Sequence, residues 1–369
     1  MHKYFTVYDK YMFKQIFAST FIAILLFTIV WIAPEILLRV IKHILTGETT
    51  VKTGVYILLC EIPKILGKAF PMGLLLGTLF TFDKLSKDSE LTIFRAIGLS
   101  FNRIIFPVIC LSLIGTVLCF ITYDKLIPLA ERMQNKMDNY TPIIQYIYTK
   151  KDKNNVPLQS VIVSSYHKDN MKKVIVLDFS KQLYQDLHGL SYIYISKQGK
   201  ANNDYWLLKD VTKYEISNEG LYTNISKIDT MKILEGEDAK NAKTLIVNSI
   251  KRDREFTNGE LREYIQLLKN EDLDENYRLM LNKYFQRFFH PFVCILLAVM
   301  GALLGFSKPR EQRLIGFTIA IACIFVYYIT LPFFDLLAEK GVLHPLLTAG
   351  IPPVAFFLAI LGFYKSKDL

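Results

Sequence analysis

Apolar runs free of Asp, Glu, Lys and Arg recur along the chain at residues 15–34, 104–123, 288–307, 314–334 and 341–364. Each approaches or exceeds the roughly 20 residues a helix needs to cross a hydrocarbon layer about 30 Å thick. A sixth run, 55–82, is as long but interrupted by Glu61, Lys64 and Lys68. The pattern predicts three spans, a polar insert from Asp124 to Arg287, and three further spans. Within the insert the period changes. Short β-branched or aromatic runs at 161–165, 174–178, 192–196 and 205–209 alternate with turn residues at 167–170, 198–204 and 217–220. That spacing predicts an antiparallel sandwich or roll. Helical stretches flank it: 130–139 continues the third span, and Thr257-Asn-Gly-Glu260 forms a capping box opening a helix over 261–269.

Composition supports a membrane protein. Apolar residues make up 51% of the chain, and mean hydropathy is +0.26. The net charge of +10 is explained by Lys and Arg clustered beside the apolar runs, so no nucleic acid is expected as a partner. Six spans put both termini on one side. That side carries Lys3, Lys10, Lys14, Lys84, Lys87, Arg95, Arg103, Lys308, Arg310, Arg313, Lys365 and Lys367; the short loops opposite carry Arg39, Lys42, Lys52 and Lys340. The positive-inside rule then predicts cytoplasmic termini and an exported insert. The first run is too long for a signal-peptide core and is expected to remain as an anchor. All five cysteines (Cys60, Cys110, Cys119, Cys294 and Cys323) fall in apolar runs and read as packing residues.

Candidate chemistry is sparse. No phosphate-binding G-x-x-x-x-G-K-[ST] loop, HExxH motif or nucleophile elbow occurs, so neither ATP hydrolysis nor catalysis is expected from this chain, and no cofactor. His290, before Pro291 at a span start, reads as an interfacial or packing residue. Gly73-x-x-x-Gly77 and Gly301-x-x-x-Gly305 read as close-packing faces. Glu61, Lys64 and Lys68 share one helix face. They form either a self-neutralising structural pair or a cationic lining for lipid phosphates. The segment 86–98 predicts a short helix, capped by Asp88 or Ser89 and stopped at Gly98. It presents Leu91, Phe94 and Ile97 beside Glu90 and Arg95, as an interfacial connector or as a docking helix.

Two motifs carry a family resemblance. Phe70-Pro-Met-Gly-Leu-Leu-Leu-Gly-Thr-Leu79, followed by Asp88-Ser-Glu-Leu-Thr-Ile-Phe-Arg-Ala-Ile-Gly-Leu-Ser100, is similar to the signature of the YjgP/YjgQ permeases. These are the LptF/LptG subunits of the lipopolysaccharide-export ABC transporter. Leu261-Arg-Glu-Tyr-Ile265, His290-Pro-Phe292, Ser307-Lys-Pro-Arg310, Gly316-Phe317 and Tyr327-Tyr328 extend the likeness, which runs from about residue 3 to 364.

The resemblance implies a polytopic inner-membrane protein of six transmembrane helices with an inserted periplasmic β-jellyroll. Its parts would be spans one to three within 1–126, with a coupling helix at 86–98; the β domain within 127–283; and spans four to six within 284–369. It implies cytoplasmic ABC ATPase subunits, a second permease subunit and periplasmic β-jellyroll bridge proteins as partners, among membrane lipids. Lipopolysaccharide or a related glycolipid would be the cargo. Glu90, Leu91, Phe94 and Arg95 would engage the ATPase, with Glu90 pairing to a basic residue there. Lys64 matches a lysine that faces substrate in some G-type members; Lys68, Arg39 and Lys42 are further candidates for substrate contact. Glu35 stands where G-type members tend to carry a basic contact, which puts that contact in doubt. The competing readings are a lipid-headgroup-modifying enzyme using Glu61, Lys64 or His43, and a non-transporting scaffold bridging the envelope.

Overall fold

A computed structural model of the chain describes residues 6–32, 36–47, 50–137, 146–151, 156–167, 169–179, 181–184, 187–217, 221–306 and 314–366. Glu35 and the motif at 307–310 lie outside them. Two compact units result: residues 1–137 with 253–369, and residues 138–252.

The first unit is helical. Its order is α1 (Val7–Ile32), α2 (Leu38–Leu45), α3 (Val51–Lys87), α4 (Glu90–Ala96), α5 (Phe101–Ile121), a π turn (Thr122–Leu126) and α6 (Ile127–Met137); β1 to β8 and α7 follow in the insert, and the unit resumes with α8 (Asn258–Asn270), α9 (Asp274–Gly305), α10 (Leu314–Glu339) and α11 (Pro345–Ser366). Among the described residues, six helices are long and apolar enough to cross a membrane, as the apolar runs predict. They are unequally buried. In its most apolar window α3 is 78% buried, whereas α1 and α10 are each 17% buried. α3 is therefore the central stave; of the charges that interrupt its apolar run, Lys64 is buried and Glu61 and Lys68 are half-buried.

Glycine makes that centre possible. A Cβ added at Gly301 would overlap the Leu75 carbonyl and the Thr78 hydroxyl, and one at Gly305 would overlap the Leu79 carbonyl. At Gly73 and Gly77 it would overlap Ile24 and Thr20 of α1. Both small-residue faces are thus close backbone contacts of α3, one with α1 and one with α9. Leu75, Leu79, Leu297 and Leu303 fill the surrounding core.

Two local signals hold as expected. α5 runs through the π turn into α6, extending the third span. Thr257 caps α8: its hydroxyl accepts from the Glu260 N–H, and Glu260 accepts in return from the Thr257 N–H at 3.0 Å. Asp124, in the π turn, accepts from the Asn258 N–H at 2.9 Å, placing a carboxylate at the helix start.

The second unit is an antiparallel sheet in the order β1-β2-β3-β6-β7-β8, with β4 and β5 paired separately. Its strands are β1 (Tyr146–Lys151), β2 (Pro157–His167), β3 (Asn170–Asp178), β4 (Lys181–Tyr184), β5 (Leu187–Gly189), β6 (Tyr192–Ala201), β7 (Tyr205–Ile216) and β8 (Tyr222–Glu235). Val161 faces Val176, and Val176 in turn faces Tyr194. These residues are buried, as period-two alternation requires. The four strands read from the sequence are β2, β3, β6 and β7. The sequence reading passed over β8 and the helix α7 (Glu237–Ile250). Ala239, Ala242, Leu245 and Ile246 bury one face of α7, and the Trp206 indole donates to the Ala239 carbonyl at 3.2 Å. Lys243 of α7 pairs with Asp169 at 2.9 Å. This bond, with one from the Tyr166 hydroxyl, holds the Asp169 carboxyl below its ordinary range.

Candidate functional site

Two places in the helical unit collect charge. The first is α4. Its brevity follows from its ends. Ser89 adopts a left-handed backbone (φ 60°) after α3 stops, without a side-chain cap. Gly98 (φ 90°) closes the other end. The Gly98 N–H donates to the Arg95 carbonyl at 2.9 Å and the Leu99 N–H to the Phe94 carbonyl at 3.1 Å. This is a Schellman closure, which needs positive φ at that residue. Ser86 and Lys87, assigned to the coupling helix by sequence, belong to the end of α3.

The faces of α4 differ from the expected ones. Leu91 is buried (3% exposed) in the bundle core, so it is not an outward anchor. Phe94 is half-buried, edge-on to Tyr8 at 4.9 Å. Ile93 and Ile97 carry the exposed apolar surface, at 57% and 70%. The Tyr11 hydroxyl donates to the Glu90 carboxylate, 2.8 and 3.0 Å from its two oxygens. Arg95 lies over the Phe306 ring at 5.7 Å. Val7, Tyr8, Tyr11, Glu90, Ile93 and Phe94 line an open, largely apolar groove between α1 and α4.

Beside this groove, Asp9 is fully buried and takes two 2.6 Å bonds from the Arg103 guanidinium. The Thr6 hydroxyl donates to Asp9 at 2.7 Å. This bidentate pair clamps the start of α1 to the start of α5. Nothing in the sequence spacing marks it, because its members lie 94 residues apart.

The second place is a cavity of about 340 Å³ whose wall includes Lys64, Lys68, Arg254, Lys283, Arg287 and His290, together with Tyr123, Tyr327 and Tyr328. Lys64 has its charge satisfied. Its ammonium is 3.0 Å from Glu61, 3.0 Å from Glu131 and 2.7 Å from the Gln134 amide oxygen. Glu131 and Gln134, on α6, are the partners that sequence reasoning missed. Lys68 lies over the Trp31 ring at 5.5 Å. Arg39 and Lys42 are exposed on α2 and do not line this cavity.

Asp335 of α10 gathers three side chains of α9: Asn282 and Gln286 each donate at 2.7 Å, and Lys283 forms an ion pair. Arg287 donates to the backbone carbonyls of Phe256 at 2.7 Å and Asp253 at 2.6 Å. The arrangement contains paired charges, positioned donors and aromatic walls.

A family model described as lipopolysaccharide export system permease LptF/LptG matches residues 10–366. No curated protein matches the chain.

Proposed function

The chain belongs to the LptF/LptG family of lipopolysaccharide export permeases, and from that membership we propose that it is the permease subunit of an ABC exporter that extracts lipopolysaccharide or a related glycolipid from the inner membrane. As a family of transport permeases, LptF/LptG argues against the enzyme reading; ATP hydrolysis belongs to a separate cytoplasmic subunit. A second permease subunit completes the membrane core, and periplasmic β-jellyroll proteins receive the lipid.

The observation that carries this reading is α4. It is too short to span and follows the second membrane helix. It exposes Ile93 and Ile97 beside a carboxylate held by Tyr11. Such a surface suits insertion into a groove of an ATPase. Its attachments give it a mechanical output. Tyr11–Glu90 and Tyr8–Phe94 tie it to α1, and the Gly98 turn leads into α5. The Asp9–Arg103 clamp joins α1 to α5, so a push on α4 reaches both helices together. The resulting movement narrows the path of the acyl chains and drives the lipid outward.

Among the four basic residues proposed for substrate contact, Lys68 keeps that role at the cavity wall. Arg39 and Lys42 would act from the α2 surface. Lys64 is assigned to structure, because Glu61 and Glu131 neutralise it. Affinity purification of the tagged full chain from its native membrane should bring down an ABC ATPase, and ATP should release bound glycolipid. A chain recovered intact from the membrane without any ATPase would reject the reading.

The topology belongs to the same proposal: termini and α4 cytoplasmic, insert exported. A cysteine at Asn202 in the second unit, on a cysteine-free background, should react with an impermeant thiol reagent in cells with a permeabilised outer membrane. Reaction only after inner-membrane lysis would reverse the orientation.

A further inference from the structure

Antiparallel sheets with one face in water usually turn polar side chains outward on that face; the sheet of the second unit departs from this rule. Ile147, Ile162, Ile175 and Ile195 stand directly opposite one another on β1, β2, β3 and β6, so they share one face. Ile147 and Ile195 are 61% and 41% exposed, which makes that face the outer one. Across four adjacent strands the row extends about 14 Å. The neighbouring row is apolar too: Leu177, Ile193, Tyr214 and Ile225 lie in register on β3, β6, β7 and β8. Ile225 is 61% exposed. The interior does not need these side chains, because Val161, Val163, Val174 and Val176 are buried on the opposite face.

The other end of the same strands is cationic. Lys172 and Lys209 fall in one row with Gln198 between them, and Lys200 and Lys232 in the next with Leu207 between them. All four lysines are exposed. Between the apolar and the basic rows runs a crease, where Lys173 and Asp210 adopt left-handed backbone (φ 52° and 53°). Buried positions change parity across it, from Val174 to Met171 on β3 and from Val211 to Leu208 on β7. The lysines therefore stay on the outer face. Among the described residues the two basic rows contain no carboxylate, since Asp210 and Asp229 lie in the crease.

Apolar and cationic rows on one exposed face fit an anionic, amphiphilic surface, and the type of cation narrows the choice. None of the eight strands contains an arginine. Protein interfaces are enriched in arginine, whose planar fork meets fixed carboxylates, and depleted in lysine. Lysine carries a mobile point charge on an apolar stem, which suits a field of phosphates without fixed positions. Tyr214 and Tyr222 meet edge-on at 5.6 Å beside the apolar rows, and amphipathic rings of this kind settle at a membrane–water boundary. We propose that the outer face of this sheet docks on a bilayer surface containing anionic phospholipid. The isoleucines enter the headgroup boundary and the lysines meet the phosphates. The inference stands apart from the export reading, since docking uses neither ATP nor an exported lipid.

The test holds the full chain in phosphatidylcholine nanodiscs and floats them with separate liposomes. One set of liposomes is phosphatidylcholine alone, and the other contains roughly 30% phosphatidylglycerol, enough to make the surface anionic. The nanodiscs should float with the anionic set at least tenfold more than with the neutral set. Raising salt from about 0.1 M to 1 M shortens the screening length from about 10 Å to 3 Å and should release them. Equal flotation with both sets, or none with either, would overturn the proposal without any variant being made. Polyglutamate, supplied at the same charge concentration as the phosphatidylglycerol, should leave flotation standing. Full displacement by it would transfer the face to an acidic protein and overturn the bilayer assignment.

Variants then locate the contact. Lys172→Gln, Lys200→Gln and Lys209→Gln together should lower flotation at least fivefold, and the fold should persist because these positions are exposed. Lys14→Gln, Lys84→Gln and Lys87→Gln remove the same charge from exposed positions of the helical unit and should leave flotation unchanged. The reverse outcome would place the contact outside the sheet and overturn the proposal. Ile195→Cys, labelled with an environment-sensitive dye on a cysteine-free background, reads the apolar rows directly. Its emission should shift to the blue with anionic liposomes and stay put with neutral ones. Flotation without that shift would reduce the contact to charge alone and overturn the docking of this face.

Discussion

Glu90→Arg is expected to abolish co-purification of the ATPase while the chain stays in the membrane at its usual level. Glu90 opens α4 and borders the groove shared with α1. Reversing its sign turns attraction for a basic residue of the partner into repulsion, and loss of a buried charge pair across an interface costs about 2–5 kcal/mol. That corresponds to roughly 30-fold to a few thousand-fold weaker binding. The fold should survive, because the internal partner of Glu90 is the Tyr11 hydroxyl, at an exposed site. Tyr11→Phe provides the control: it removes that hydrogen bond but keeps the charge. If charge carries docking, Tyr11→Phe retains the ATPase. If the fixed position of the carboxylate matters as well, Tyr11→Phe loses part of the stimulation of hydrolysis. Normal ATPase recovery with Glu90→Arg would end the docking assignment.

Gly301→Leu should leave little folded protein. Its Cβ would meet the Leu75 carbonyl and the Thr78 hydroxyl, and no rotamer relieves an overlap with backbone. α9 would have to move away from α3, opening the core around Leu75 and Leu297. Overpacking typically costs about 1–3 kcal/mol and more where backbone must shift. Gly362→Ala is the matched comparison, since a Cβ there meets nothing within 4 Å. Thermal unfolding in detergent should place Gly362→Ala near the parent and Gly301→Leu well below it. Coincident transitions for the two would contradict the α3–α9 contact.

The membrane architecture was legible because five spans carry no charge over a bilayer's length. α3 was harder: Glu61, Lys64 and Lys68 interrupt it, and these charges become explicable when Glu131 and Gln134 are placed beside them. Sequence pattern finds faces, not partners from distant segments. Lys64 therefore remained balanced between two readings, and Arg287 looked like the edge of a polar insert rather than a cavity wall. On α4, seven residues are too few for periodicity to separate the inner from the outer side. Leu91, Phe94 and Ile97 suggested a single outward stripe, yet Leu91 packs inward and Ile93 outward. In the insert, alternation revealed the strands with apolar inner faces. β8 interleaves Lys227, Asp229 and Lys232 and is exposed along most of its length, so its pattern resembled a loop.

The contact of α3 with α9 also sets a clock for biosynthesis. From Leu75 to Gly301 is a separation of 226 residues, which a ribosome covers in about ten to fifty seconds at roughly 5–20 residues per second. For that interval α3 sits in the bilayer without the helix that later covers it. Its lysine does not wait as long, since Glu61 is one turn away and Glu131 arrives with the next span. Charge is thus quenched early and locally, while the glycine seam closes late. An insertion chaperone would meet this chain as a three-helix intermediate with a bare, small-residue groove.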